Sequence, residues 1–331
     1  MKKCGVCKSI LILIGIVLCF SFESVTANGQ QNAFVDVSSW VYVLQDAQIE
    51  HILFAHPSIA VMDYSYDGSD GGAYSRQQII KLRENGIVPI AYISIGEAED
   101  YRWYWDESWY NSPPSWLGRE NPHWPGDYAV KFWYPEWQSI VFRYVDKVIS
   151  QGFQGVYLDK VDIYEYWADE DNGEDIYLPE STTASLMIDF IKKISQYGHK
   201  KVFPFYVFIQ NGETLVDYDD GRLISHIDGI GIEALFYEGN KVNPPTYIQK
   251  RIKYLEFFKD AGKVVMVVEY VDCGKDMDNL KRIQDAIRKN LYHGYIPYIA
   301  KCDYELRGVN IIPTLQPFVY PGNGISYSGY R

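Results

Sequence analysis

The sequence predicts an α/β protein of the (β/α)8 TIM-barrel class, with a Trp-rich insertion after the third strand. Three observations carry that expectation. Eight short apolar runs, rich in β-branched residues, alternate with amphipathic stretches that stop at glycines. The runs are apolar on both faces, as in a parallel sheet covered by helices. Most of them end on a carboxylate, and a parallel barrel gathers all such strand ends on one face. A doubly wound open sheet is the alternative. It calls for a glycine turn after the first strand, where this chain has Asp36-Val37-Ser38-Ser39.

Residues 33–37 (AFVDV) predict the first strand, ending near Asp36, and 41–54 an amphipathic segment. Residues 58–62 (SIAVM) form the second strand, ending on Asp63-Tyr64, and 75–85 a helix stopped by Gly86. Residues 88–95 (VPIAYISI) are the third, running into Gly96-Glu97. A long insertion follows, then a helix over 136–150 stopped by Gly152. The fourth strand lies in 155–162 (GVYLDKVD) and ends on Asp159. A helix over 181–197 stops at Gly198, and 202–209 (VFPFYVFI) lead into Gln210-Asn211-Gly212-Glu213. Residues 227–232 are the sixth strand, ending on Glu233, before a helix over 245–261 that starts after a proline pair. The seventh, 264–268, ends on Glu269-Tyr270 and precedes a helix over 276–291. The eighth, 296–300, runs into Lys301-Cys302-Asp303. The organisation is thus a leader over 1–27, a barrel over 28–312 and an irregular tail over 313–331.

Composition narrows the partners. The chain has 331 residues, of which 47% are hydrophobic, enough for one full barrel with a large core. A net charge of −12 argues against nucleic acid or anionic membrane surfaces. A cationic ligand fits that charge, as does mere solubility. Aromatic residues make up 16% of the chain, and sugar rings stack on aromatic faces. At the start, Lys2, Lys3 and Lys8 flank an apolar run over 10–20, and Val25-Thr26-Ala27 offers a cleavage site. The run is short for a membrane span, so a secreted protein without a stable span is expected. Cys19 allows a lipoprotein alternative, but Val17-Leu18 before it lacks the small residue that processing needs.

Of the 5 Cys, only Cys273 and Cys302 lie outside the leader. Both follow late strands at one end of the fold, so an exported chain would bridge them; two free thiols are the alternative. The 6 His form no HxH or HExxH, and no Walker loop is present. Neither a metal nor a cofactor is expected.

In a barrel, Asp36, Asp63, Glu97, Asp159, Glu233 and Glu269 ring one mouth, with Asp162 and Glu213 one turn further out. Paired carboxylates there suit glycoside hydrolysis, in which one acid gives a proton and the other attacks or activates water. Crowding pushes their pKa values apart, which permits both roles at one pH. The bland alternative for Asp159 is a helix cap or a pairing with Lys160. A ring of acids could also hold Mg2+ or Ca2+, but the tight acidic loop of a calcium site is missing. The insertion between Glu97 and Trp137 carries seven of the nine Trp, among them Trp133 and Trp137. It reads either as a groove wall that stacks sugars or as a mini-core under a long loop.

Five stretches together make a resemblance specific: YISIGEAEDYRWYW (92–105), HWPG with KFWYPEW (123–137), GVYLDKVD (155–162), QNGE (210–213) and EALFYEG (233–239). As an ordered set they resemble glycoside hydrolase family 114, the endo-α-1,4-polygalactosaminidase-like barrels, in its exported archaeal and bacterial branch. The resemblance covers about residues 33–312. It implies a secreted hydrolase of α-1,4-linked galactosamine polymer, with Asp159 as nucleophile and Glu233 as acid/base. It further implies that Asp63, Tyr64, Glu97, Asp162, Gln210, Asn211, Glu269, Tyr270, Trp133 and Trp137 line the substrate subsites. The partner would be a polysaccharide, here a cationic amino sugar, and the protein a monomer with retaining, endo-acting chemistry. Two other readings stay open. One is a non-catalytic carbohydrate-binding barrel. The other is a barrel glycosidase whose nucleophile is Glu269.

Overall fold

The structure, a computed structural model, describes residues 37–316 apart from Lys275. The leader over 1–27, Asp36 with most of the expected first strand, and nearly all of the tail lie outside the described residues. Among the described residues no helix is long and apolar enough to cross a membrane.

Eight parallel strands make one sheet in sequence order: β1 (Trp40–Val43), β2 (Ile59–Met62), β3 (Val88–Ser94), β4 (Gly155–Asp159), β5 (Tyr206–Gln210), β6 (Gly229–Glu233), β7 (Val264–Asp272) and β8 (Ile296–Lys301). Each pairs with the next, as the barrel class requires. The first described strand of the sheet is Trp40–Val43, which falls largely within the stretch read as amphipathic, while residues 33–36 of the expected first strand lie outside the described residues. All four of its residues are buried, as a strand covered on both faces must be. The helix in that stretch is confined to α1 (Ile49–Ala55).

No backbone ladder joins β8 to β1 among the described residues. Just beyond the two strands, the Leu44 and Gln45 N–H groups donate to the Leu306 carbonyl at 2.9 and 3.4 Å and the Gly308 N–H donates to the Gln45 carbonyl at 2.8 Å, and side chains cover the rest of the seam. The Trp40 indole donates to the Ile296 carbonyl at 2.9 Å. The Gln316 amide accepts from the Ile299 N–H at 2.6 Å and donates to the Ile299 carbonyl at 2.7 Å. Asn310 adds a second donor to the same carbonyl at 3.1 Å.

The outer layer is α1, α2 (Arg76–Glu84), α3 (Pro135–Gln151), α4 (Ile163–Tyr166), α5 (Glu180–Lys201), α6 (Pro245–Asp260) and α7 (Asn279–Tyr292). Ser75 and Gln78 form a capping box at the start of α2, where the sequence placed the helix. Gly198 does not stop α5, which runs on to Lys201. A Cβ at Gly198 would come within 2.1 Å of the Phe205 ring, so close packing accounts for this glycine. The helix overrun also delays β5 to Tyr206. Between β5 and β6 the crossover is two short 3-10 turns, Glu213–Tyr218 and Ile224–His226, in place of an α-helix.

Aromatic rings fill the barrel. Trp40 stacks on Tyr42, with ring centroids 5.7 Å apart, and Tyr157 and Tyr298 close on the same cluster. Gly231 on β6 makes room for it, since a Cβ there would sit 1.6 Å from the Tyr157 hydroxyl. Gly229, at the start of the same strand, is packed as closely: a Cβ there would sit 2.4 Å from the Val264 carbonyl.

The insertion after β3 folds into a three-stranded antiparallel sheet of Glu97–Glu99, Asp127–Val130 and Leu117–Glu120. Its Trp residues pack on one another: Trp105 on Trp109 at 5.0 Å, Trp109 on Trp116 at 5.0 Å, and Trp116 on Trp137 at 5.2 Å. The mini-core reading is the correct one for these. Cys273 and Cys302 are bridged, with Cα atoms 5.0 Å apart.

Candidate active site

A cavity of about 490 Å3 opens at the C-terminal ends of the strands. Asp159 and Glu233, the last residues of β4 and β6, both line it. Strand termini position them, and the backbone then turns sharply away. The residues just beyond β4, β5 and β6 are Lys160, Asn211 and Ala234, all in the left-handed region (φ 59, 53 and 48). For a residue with a Cβ that conformation costs roughly 1–2 kcal/mol, and such strain concentrates where function over-determines the backbone.

Each carboxylate has its own set of contacts. Tyr92 donates to Asp159 Oδ2 at 2.7 Å. Burial raises Asp159 to about 7; the Lys160 ammonium opposes this and the Glu233 carboxylate adds to it. Glu233 accepts from the Tyr270 hydroxyl and, at 3.1 Å, from the Asn211 side-chain amide. Arg251 sets that amide's orientation, since it donates to Asn211 Oδ1 at 3.2 Å and to the Glu233 carbonyl at 2.8 Å. Glu213 holds Arg251 in turn through a 2.5 Å ion pair. Asp162, one turn beyond β4, also faces the cavity and is raised by burial to about 6.

A second acidic wall comes from β2 and the insertion. Asp63 lines the cavity and pairs with Arg102 at 2.7 Å. Burial lifts it to about 6 against the pull of that guanidinium. Arg102 also binds Glu99 at 2.7 Å. Asp127 stands beside them, raised to about 8 by burial and by the charges of Glu99 and Glu97. Trp124, 53% exposed, is the Trp of the insertion that reaches this cavity.

Several residues expected at the mouth point elsewhere. Glu269 is 0% exposed and is absent from the cavity wall. Its carboxylate accepts from the Phe236 and Tyr237 N–H groups at 3.0 and 3.2 Å and from Asn290 at 3.3 Å. The cause is strand alternation: β7 continues to Asp272, so Glu269 faces α7 and Tyr270 faces the cavity. This removes Glu269 as an alternative nucleophile. The same alternation turns Tyr64 outward, where it packs edge-on against Tyr144 of α3 and donates to Gly68 and Asp70. Gln210, 1% exposed, lies below the cavity and accepts from Tyr157, while Asn211 lines the wall. Glu97 is buried and holds Lys160 at 3.2 Å without lining the cavity. Trp137 donates to the Ile95 carbonyl at 2.8 Å, and Trp133 packs on Trp167. Neither reaches the cavity.

Tyr92, Glu99, Arg102, Trp124 and Asp127 line the cavity and were not singled out from the sequence. Glu99 and Arg102 were legible in principle, as an acid and a base three residues apart inside the YISIGEAEDYRWYW stretch. Asp127 carries no such signal.

The chain matches known proteins over most of its length. The sequence model of Glycoside-hydrolase family GH114 matches residues 23–316. The chain belongs to this family. As a GH114 barrel it is a glycoside hydrolase. It is 52% identical over 274 residues to an uncharacterized protein of Methanocaldococcus jannaschii, covering 82% of this chain and 78% of that one. An uncharacterized protein of Thermotoga maritima is 42% identical over 311 residues, covering 94% and 95%. Among solved structures, this GH114 barrel is similar to the glycoside hydrolase domain of PelA from Pseudomonas aeruginosa. That match has a TM-score of 0.61 at 14% identity, over 82% of this chain and 99% of that one. It is also similar to Ega3 of Aspergillus fumigatus, solved in complex with galactosamine, with a TM-score of 0.59 at 17% identity over 82% and 94%. At these identities the structural likeness speaks for the fold.

Proposed function

We propose that this GH114 barrel is an exported, retaining hydrolase that cuts within chains of α-1,4-linked galactosamine-type polysaccharide. The charge of the cavity carries the reading. Asp63, Glu99, Asp127 and Asp162 join Asp159 and Glu233 around it. Its cations are already engaged: Arg102 by Asp63 and Glu99, Lys160 by Glu97. Asp159, Asp162 and Glu233 have no ion pair among the described residues; a neutral sugar offers them no counter-charge, whereas the ammonium group of an amino sugar does. The galactosamine complex of Ega3, a barrel of the same fold, supports the same class. Export is supported by the Cys273–Cys302 bridge, which suits an oxidising compartment.

In this mechanism Asp159 attacks the anomeric carbon as the glycosidic C–O bond breaks. Glu233 gives its proton to the departing oxygen. Water then loses a proton to Glu233, displaces Asp159 from the sugar and leaves the anomeric configuration retained. Tyr92 orients the nucleophile, and Asn211 and Tyr270 orient the acid/base.

The decisive assay incubates the protein with partly deacetylated galactosaminogalactan, chitosan and α-glucans, with Asp159→Asn as control. New reducing ends are expected from the galactosamine polymer alone. Cleavage of another polymer with this one left intact sinks the substrate reading.

Asp159 also sets a pH dependence. As nucleophile it must be ionised, and its raised pKa means that the carboxylate is lost as pH falls through about 7. For the free enzyme, kcat/KM should fall about tenfold per pH unit below that point. In the complex a sugar ammonium beside Asp159 favours the charged form, so the acid limb of kcat should lie lower. A kcat/KM profile flat down to pH ~5 would mean that burial does not hold Asp159 near 7 in the free enzyme.

A further inference from the structure

We propose that a second cavity, on the far side of Glu233, seats the leaving-group sugar and stacks it on Tyr247. The inference rests on the roles given above to Asp159 and Glu233. This cavity, about 440 Å3, lies between the 3-10 turn Glu213–Tyr218 and α6. Asp162, Asn211 and Glu233 line both cavities. Asp159 lines only the first.

That difference orients the substrate. The nucleophile must stand under the sugar whose anomeric carbon it attacks, which places that sugar in the first cavity. The acid must reach the oxygen between two sugars, and Glu233 stands on the boundary between two cavities. The sugar that departs with that oxygen therefore belongs in the second. A chain bound across both is cut in its interior, which is the endo mode.

Tyr247 supplies the surface for the departing ring. It sits at the start of α6, lines the second cavity and is 41% exposed, so one side of its ring is open to that cavity. Arg251, one turn along α6, donates to the Tyr247 hydroxyl at 2.9 Å, with its guanidinium 5.6 Å from the ring centroid. The same guanidinium binds the Glu233 carbonyl and Asn211. One buried cation thus fixes the distance between the aromatic platform and the acid. The apolar face of a pyranose packs on such a ring while its hydroxyls stay in water. Lys250 and Glu165, of opposite sign, stand on this side, so the site takes a pyranose with or without an ammonium group.

The test compares two substrates of one glycone. One is an α-1,4-linked galactosamine oligosaccharide long enough to span both cavities. The other is a galactosamine trisaccharide with a fluoride leaving group, which presents no ring to the second cavity. In Tyr247→Ala the ratio of kcat/KM for the oligosaccharide to that for the glycosyl fluoride should fall about tenfold. In Tyr247→Phe, which keeps the ring, the ratio should stay within about twofold of wild type. An unchanged ratio in Tyr247→Ala overturns the proposal, as does an equal loss on both substrates, which marks a purely structural role. Wild-type protein that cuts neither substrate overturns the functional reading itself, and the proposal with it.

Discussion

Asp159→Asn is expected to lose about 10^4-fold or more in turnover while still binding the polymer. The substitution keeps the side chain's size and its contact with Tyr92, and removes only the charged oxygen that attacks. Polymer affinity depends on the acidic walls and on aromatic surfaces, which stay in place. Glu233→Gln should behave differently. On natural polymer it should lose about 10^2–10^4-fold, because an amide cannot give a proton to the departing oxygen. On the glycosyl fluoride part of that loss should return, because fluoride departs without protonation. Steady-state kinetics on both substrates, with a binding measurement for each variant, decides the matter. Near-native turnover of Glu233→Gln on polymer would refute the assignment. Glu269→Gln is the informative companion. Its side chain ties the loop after β6 to β7 and α7, so its effect should appear in thermal stability before it appears in chemistry.

Arg102→Met should be among the most destabilising single changes in the barrel. Arg102 is buried against two carboxylates, Asp63 and Glu99, and lies near the rings of Tyr64 and Tyr101. Removing one partner from a buried ion cluster leaves uncompensated charge and costs about 3–5 kcal/mol. For a domain of this size the melting temperature should drop by roughly 6–15 °C. The loss should depend on pH. Asp63 already has a raised pKa, about 6, with Arg102 present. A raised acid stabilises the fold when protonated and loses that contribution as pH rises through its folded pKa. The variant should therefore be hurt more at pH 8 than at pH 5, as melts at the two values would show. A drop worth less than about 1 kcal/mol at pH 8 would mean that water reaches the cluster.

The strand ends were the legible part of the site. A short apolar run that stops at an acid says where a barrel strand ends, and so Asp159, Glu233, Asp63 and Asn211 could be placed at the mouth. What sequence could not say was which of two neighbours faces inward. Period-two alternation decides between Glu269 and Tyr270 and between Asp63 and Tyr64, but only once the register is known. In β7 the ladder shifts register between Glu269 and Asp272, which no local pattern announces. On paper AFVDV and WVYV are equally good strands, and the second was read as part of an amphipathic segment. Its pairing with β2 is what makes Trp40–Val43 a strand of the sheet. The insertion was hardest. Its Trp residues look alike in sequence, yet Trp105, Trp109 and Trp116 bury one another and Trp124 alone of these four lines the cavity. Asp127 reaches the cavity only because the insertion's small sheet carries it there.

The Gln316 amide at the barrel seam has a consequence for the order of assembly. A carboxamide carries the same donor and acceptor as a peptide group, and here one side chain stands in for the strand segment that Ile299 would otherwise meet. All eight strands are complete at Lys301, fifteen positions before Gln316. A ribosome that has finished the last strand has therefore not finished the cylinder. Until the following stretch arrives, Ile299 sits on a bare sheet edge, the kind that pairs with edges of other chains. Stalling or proteolytic nicking between Lys301 and Gln316 would yield a particle with a full set of strands and a sticky gap, prone to oligomerise.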